Sequence, residues 1–261
     1  MAQFLLVHGA SHGAWCWNRV VEALEARGHV ALATDQPGLG ADCTPHEEVS
    51  WESTVAKLSA DLNSLEGEVI VVGHSMGGTL VAQLAEMNPE KVSAAVYLAA
   101  ILPQDGESCL SNTLEDCSAS RIFFAHDELG ITPEVAVKLF PLLLFGDCPE
   151  EVTQEALAKL GPQPMAVFGG SVSLTPEREG SVPRYYIETL RDLVITPGQQ
   201  RTMQTRRPCT KVYSLQTGHS AMYAAPNEVA KILDEIAKSA VPEQVASPEP
   251  EESTPAKLVA L

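Results

Sequence analysis

The sequence predicts an α/β protein: a mostly parallel sheet flanked by helices, with a helical cap inserted into it. Three observations carry that expectation. Short apolar runs alternate with segments of helical periodicity from Phe4 to Leu98. The alternation stops after Pro103, where helical pieces broken by Gly and Pro extend to Pro183. It resumes at Arg184 and again at Lys211. Strands and helices in alternation at this spacing make parallel βαβ units, and a stretch as long as the middle one is too long for a loop of a compact domain.

Taken in order, Phe4–Val7 reads as a buried strand stopped by the His8-Gly9 turn. Trp17 to Arg27 carries Val20, Val21 and Leu24 at helical spacing, and Gly28 follows as a stop signal. Val30–Ala33 is a second strand that opens into the loop Asp35-Gln36-Pro37-Gly38-Leu39-Gly40. Ser53 to Leu65 is an amphipathic helix with Val55, Leu58, Leu62 and Leu65 on one face. Val69-Ile70-Val71-Val72 is a continuous apolar run of the kind a parallel sheet buries on both faces. A helix from Thr79 to Met87 and a strand from Val92 to Leu98 follow. Beyond the insertion come strands at Arg184–Glu188 and Lys211–Leu215 and a closing helix from Asn227 to Lys238. The expected organisation is a core of residues 1–103 and 184–240, a cap of 104–183, and an acidic tail, 241–261, too rich in Pro, Glu, Ser and Ala to pack.

Bulk composition narrows the function. With 261 residues and 45% hydrophobic content the chain builds one sizeable core. A formal charge of -17 argues against nucleic acid, whose binding rests on Lys and Arg at phosphates. No apolar run approaches the length that spans a bilayer. Met1-Ala2-Gln3 runs into the first strand without a basic leader or a small-residue cleavage site, so the expected location is the cytoplasm. The six cysteines form no Cys-x-x-Cys pair and no Cys/His cluster at zinc spacing, so reduced structural thiols and no metal are expected. Cys148, in the loop-like Gly-Asp-Cys-Pro, is the one singled out for reactivity.

The chemistry is carried by Gly73-His74-Ser75-Met76-Gly77-Gly78, between the strand ending at Val72 and the helix starting near Thr79. A strand that must turn sharply into a helix presents Ser75 at its tip, and flanking glycines leave room for that strained turn. The helix N-terminus beneath it favours developing negative charge. A serine hydroxyl is a weak nucleophile and needs a base, itself oriented by an acid, in the chain order Ser, acid, His. Of the seven histidines only His219 lies beyond the cap, in a loop after the Lys211–Leu215 strand. His74 belongs to the elbow and is expected to point away from the nucleophile; His8 and His12 precede it. Asp192, just after the Arg184–Glu188 strand, and Asp105, one strand earlier, both qualify as the acid, while Glu188 falls within the strand. A tetrahedral oxyanion needs two preorganised N–H donors, each worth about 3 kcal/mol. The amide of Met76 is one, and Ala10, in the loop after the first strand, is the other.

The run from Phe4 through His8-Gly9-Ala10-Ser11-His12-Gly13-Ala14-Trp15-Cys16-Trp17 closely resembles the opening of the plant methylesterase and hydroxynitrile lyase family. That family includes the salicylic-acid-binding methylesterases and has bacterial esterase relatives. The match continues through Gly28-His29-Val30, the elbow, Ala94–Leu98, Leu102-Pro103, Asp147-Cys148-Pro149, Pro162-Gln163-Pro164, Tyr186-Ile187, Arg191-Asp192, Gln200 and His219. The resemblance implies the α/β-hydrolase fold, a triad on Ser75, Asp192 and His219, oxyanion donors on Ala10 and Met76, and a dimer formed through the cap. Met76 replaces the family's more usual Leu, and Gln104–Lys138 matches only loosely, which leaves the substrate pockets open. The family's S-selective lyases carry Thr where Gly9 stands and Lys where Ser220 stands; its R-selective lyases carry Asn at the Gly9 position. Gly9 and Ser220 therefore fall on the esterase side. The expected reaction is hydrolysis of a small ester with an apolar acyl part through an acyl-enzyme, without metal or cofactor. A hydroxynitrile or other carbon–carbon lyase, a lactone or amide hydrolase, and a non-catalytic ligand receptor on the same fold are the competing readings.

Overall fold

The computed structural model describes residues 1–114 and 132–240. The expected tail, the 115–131 part of the expected cap, and Cys117 lie outside the described residues. Among the described residues, Gln3–Val7 (β1), Val30–Thr34 (β2), Val69–His74 (β3), Val92–Leu98 (β4), Arg184–Thr189 (β5) and Lys211–Leu215 (β6) form one sheet in the order β2-β1-β3-β4-β5-β6. Every pairing is parallel, where a mostly parallel sheet was expected. The chain winds from β1 outward to β2 and then returns past β1 to β3, so the order reverses between β1 and β3. In such sheets the crevice at the carboxyl ends of the strands flanking the reversal is where ligands bind.

Alternate residues of each strand feed two cores. Leu5, Val7, Val69, Val71, Ala95 and Tyr97 face one side, while Phe4, Leu6, Ile70, Val72, Ala94 and Val96 face the other. Asn18–Glu25 (α1) contributes Val20 and Leu24 to the second core. Trp51–Ser64 (α2) adds Leu58 and Leu62 to the first, and Gly77–Met87 (α3) adds Leu80, Val81 and Leu84. The α2 start lies two residues before the expected Ser53, because Ser50 caps it: Ser53 N–H donates to Ser50 Oγ and Ser50 N–H to Ser53 Oγ, both at 3.0 Å.

Between β4 and β5 the chain forms Cys109–Leu114 (α4), Pro133–Phe145 (α5), Glu150–Leu157 (α6) and Met165–Phe168 (α7). After β5 comes Pro197–Arg206 (α8), a helix not foreseen in the sequence, because its buried face is Gln199, Gln200 and Met203 rather than an apolar stripe. Ala221–Ala224 (α9) and Pro226–Ala240 (α10) close the fold, and Val229, Leu233 and Ile236 of α10 pack in the second core.

Cys16, Cys43, Cys148 and Cys209 are free thiols. Burial, with help from Asp147, pushes the Cys148 thiol up to about 12. That corrects the expectation of a reactive cysteine, since the thiolate is the nucleophile.

The far end of the sheet is fastened by Glu179, almost wholly buried, between the guanidinium groups of Arg184 (3.1 Å) and Arg207. Removing one member of a buried ion network leaves the others desolvated and unpaired. Glu179→Leu is expected to destabilise the fold by about 3–5 kcal/mol, read as a lowered urea midpoint with an unchanged slope. A midpoint within error of the wild type would contradict this.

Candidate active site

The site is built where β1 and β3 end side by side. Their register pairs Val7 with Gly73, so His8-Gly9-Ala10 leaves the sheet directly against His74-Ser75. A Cβ on Gly9 would lie 2.8 Å from Ser75 Cβ, so only glycine lets this loop come so close. Ser75 itself is in the left-handed region, with φ 55. For a non-glycine residue this conformation costs on the order of 1–3 kcal/mol and persists only where surroundings enforce it. Here they do: Ser75 N–H donates to Leu98 O (3.3 Å), and Ser75 O accepts from Gly78 N–H (3.1 Å) and Ile101 N–H (3.0 Å). Met76 is the residue just before α3, and a Cβ on Gly77 would lie 2.8 Å from His8 O, which presses the helix start onto the β1 loop.

The β5 and β6 ends meet in the same way. Their ladder runs on past the strands, with Leu190 N–H donating to Leu215 O and Arg191 N–H to Thr217 O, both at 2.9 Å. This brings Asp192 under His219, with Asp192 Oδ2 2.8 Å from His219 Nδ1. Asp192 is almost wholly buried and fully satisfied. Its Oδ1 accepts from Val194 N–H (2.7 Å) and Ile195 N–H (3.0 Å), and Oδ2 also accepts from Thr189 Oγ1 (3.0 Å). Gln200 braces the turn, accepting from Thr189 N–H at 3.0 Å and donating to Ile195 O at 2.7 Å. Asp105, the alternative acid, is exposed and accepts from Leu174 N–H at 2.8 Å. Glu188 stays in β5, bound to Arg201 (3.1 Å) and Ser214 Oγ (2.7 Å).

Three further histidines surround this pair. The His74 ring packs on His219: its centroid is 4.6 Å from that of His219, and its Nε2–H donates to His219 O at 3.0 Å. His8 accepts from Gln36 N–H at Nε2 (3.1 Å), which leaves the proton on Nδ1 to be donated to Gly9 O at 2.8 Å. Gly9 O belongs to the same peptide unit as Ala10 N–H, so His8 orients that amide and polarises it. His12 Nδ1 lies 2.7 Å from Ala10 O. Burial holds His8 and His12 down to about 4 and His74 well below the usual histidine range, so all three are neutral at physiological pH.

Ala10, Ser75 and His219 line one cavity of about 740 Å³. Its walls come from Ile101, Phe140, Leu144, Phe168, Val194 and Ile195, and no Lys, Arg, Asp or Glu is among the described residues that line it. The arrangement brings together a hydroxyl, an imidazole held by a carboxylate, and the backbone of Ala10 beside the start of a helix. Its chemical capacity is nucleophilic attack on an electrophilic carbon in an apolar, uncharged chamber. The supports from Gln36, Thr189 and Gln200 are not derivable from periodicity or spacing, because each is a polar side chain whose partner is set by how the loops at the strand ends fold.

Comparison with known proteins gives consistent results. The model of the family described as alpha/beta hydrolase matches residues 4–232. The Arabidopsis thaliana protein named putative methylesterase 11, chloroplastic, is 32% identical over 90% of this chain, which spans 64% of that relative's length. Probable esterase PIR7A of Oryza sativa subsp. indica is 34% identical over 90% of this chain and 96% of its own. The crystal structure of polyneuridine aldehyde esterase superposes with a TM-score of 0.80 at 25% identity, covering 91% of this chain and 99% of that one.

The buried histidines make stability depend on pH. In the unfolded chain they titrate near the ordinary value of 6.5, whereas in the fold His8 and His12 resist protonation down to about 4. The unfolded state therefore binds more protons between those limits, and stability falls as pH drops through that window. A loss on the order of 1–3 kcal/mol for each of the two is expected. Urea midpoints should decline from pH 7 to pH 5, and a flat profile there would contradict the neutral, buried state.

Proposed function

The chain belongs to the alpha/beta hydrolase family, and from that premise we propose that it is a serine carboxylesterase acting on small, uncharged, mainly apolar esters. The observation that carries this reading is the 2.8 Å contact between Asp192 and His219, with His219 lining the same cavity as Ser75. The methylesterase and esterase names of its relatives support ester cleavage.

In this reading Ser75 Oγ attacks the ester carbonyl while His219 Nε2 takes its proton. Asp192 keeps the histidine proton on Nδ1 and stabilises the imidazolium that forms. The carbonyl oxygen becomes an oxyanion bound by the amides of Ala10 and Met76, at the positive end of α3. Collapse expels the alcohol, which takes the proton from His219, and leaves Ser75 acylated. Water, deprotonated by His219, then attacks the acyl carbon, and the acid and free Ser75 are released. The helices between β4 and β5 serve as the cap over this chamber. The absence of Lys and Arg among its described lining residues, together with the net charge of -17, disfavours substrates that are themselves anions.

A carbon–carbon lyase is the second reading of the same triad. Position 9 favours the esterase: a side chain there would crowd Ser75 Cβ and the oxyanion space beside Ala10. Ser220 is buried and neutral, so it offers no cation to departing cyanide.

Two experiments test the proposal. The wild type is expected to release p-nitrophenol from p-nitrophenyl acetate and to cleave mandelonitrile no faster than background. Ser75→Ala should lower ester turnover on the order of 10³-fold or more. Robust mandelonitrile cleavage without ester hydrolysis would overturn the assignment. In the second, Asp192→Asn should cost far more kcat than Asp105→Asn, because only the former leaves His219 in the wrong tautomer. A larger loss in Asp105→Asn, with both variants folded by circular dichroism, would move the acid.

A further inference from the structure

We propose that Asp147 is a positioning residue for the base: its carboxylate, on the turn between α5 and α6, holds the backbone of the His219 loop in place. This deepens the triad reading above and rests on it. Gly218 N–H, the amide of the residue immediately before His219, donates to Asp147 Oδ2 at 2.6 Å. A hydrogen bond to an ionised acceptor is short and about twice as strong as a neutral one. The fit is close on the other side as well, since a Cβ on Gly218 would lie 2.8 Å from Asp147 Oδ1. The next residue on the same turn, Cys148, brings its Sγ to 3.9 Å from Ser220 O. One turn of chain outside the sheet core thus grips the backbone on both sides of His219.

The other tethers of that loop come from the core. Arg191 N–H holds Thr217 O at 2.9 Å, His74 holds His219 O at 3.0 Å, and Asp192 holds the ring. Asp147 alone, among these, is carried by the segment that also supplies Phe140 and Leu144 to the cavity wall. Its Oδ1 is buried without a hydrogen-bond partner. Leaving a carboxylate oxygen unsatisfied is costly, so the position is a poor one for a group serving only to solubilise a turn. The seat of the base and the wall of the cavity are therefore joined through one short segment. Asp147 does not line the cavity, so its removal should act on the chemical step rather than on substrate binding.

The test uses the full chain, with p-nitrophenyl acetate as substrate and amide hydrogen exchange as a second readout. Asp147→Ala is expected to lower kcat about 10-fold with KM within about twofold, the effect of a misplaced catalytic group. Asp147→Asn keeps an oxygen that can accept from Gly218 N–H and should stay within about threefold of the wild type. The Gly218 amide should be protected from exchange in the wild type and in Asp147→Asn, and exposed in Asp147→Ala. An unchanged kcat in Asp147→Ala, a loss confined to KM, or an unprotected Gly218 amide in the wild type would overturn the proposal. If the wild type turns over no ester, the carboxylesterase reading fails by itself. Protection of Gly218, lost in Asp147→Ala and kept in Asp147→Asn, would still support the tether, and its absence would overturn it.

Discussion

The constraint on which the site depends is the parallel register of β1 and β3. Because Val7 lies opposite Gly73, two chains leave the sheet at the same height and in contact. One must turn into α3 and the other must pass across it. Both demands are met by backbone alone at Gly9 and Gly77, and Ser75 is forced into a left-handed conformation that exposes its hydroxyl. The strain at Ser75 is held by three backbone hydrogen bonds, one to the last residue of β4, one to Ile101 just after it and one to Gly78 in α3. A local distortion is thus stabilised by the end of β4, the segment after it and the first turn of α3, an arrangement a short turn could not sustain alone.

The second half of the site obeys the same logic at the β5 and β6 ends, with polar groups in place of glycines. Asp192 is buried, yet each oxygen has partners, so its charge is held by amides, a hydroxyl and the imidazole. Around it, three neutral histidines act as uncharged donors to carbonyls. His8 fixes the Gly9–Ala10 peptide and His74 fixes the His219 carbonyl. Neutral imidazoles suit this role, because additional positive charge beside His219 would oppose the proton transfer proposed for it. Their low affinity for protons follows from burial.

Much of this was legible in the sequence, for identifiable reasons. β3 is a continuous apolar run bounded by glycine, and a run of that kind has few alternative readings. Ser75 and His219 follow from chain order on a sheet whose strands are countable. The sequence left Asp105 open because spacing alone cannot tell which strand end lies beside β6. The ladder from Leu190 and Arg191 to Leu215 and Thr217 decides that geometry. α8 was invisible because its buried face is made of glutamines, whose burial depends on partners in β5 and the Asp192 turn. The role of Asp147 is not legible in the sequence, since its partner is a backbone amide seventy-one positions away. The packing of His74 on His219 is not legible in the sequence, because the two residues lie 145 positions apart.

The central claim is that this sheet edge activates one serine out of all those in the chain. The most direct measurement is covalent labelling of the native protein with a fluorophosphonate, followed by mass spectrometry of its peptides. One adduct per chain is expected, on the peptide that contains Ser75, and none after unfolding in urea. Labelling at a different serine, or no labelling of the folded wild type, would contradict the claim.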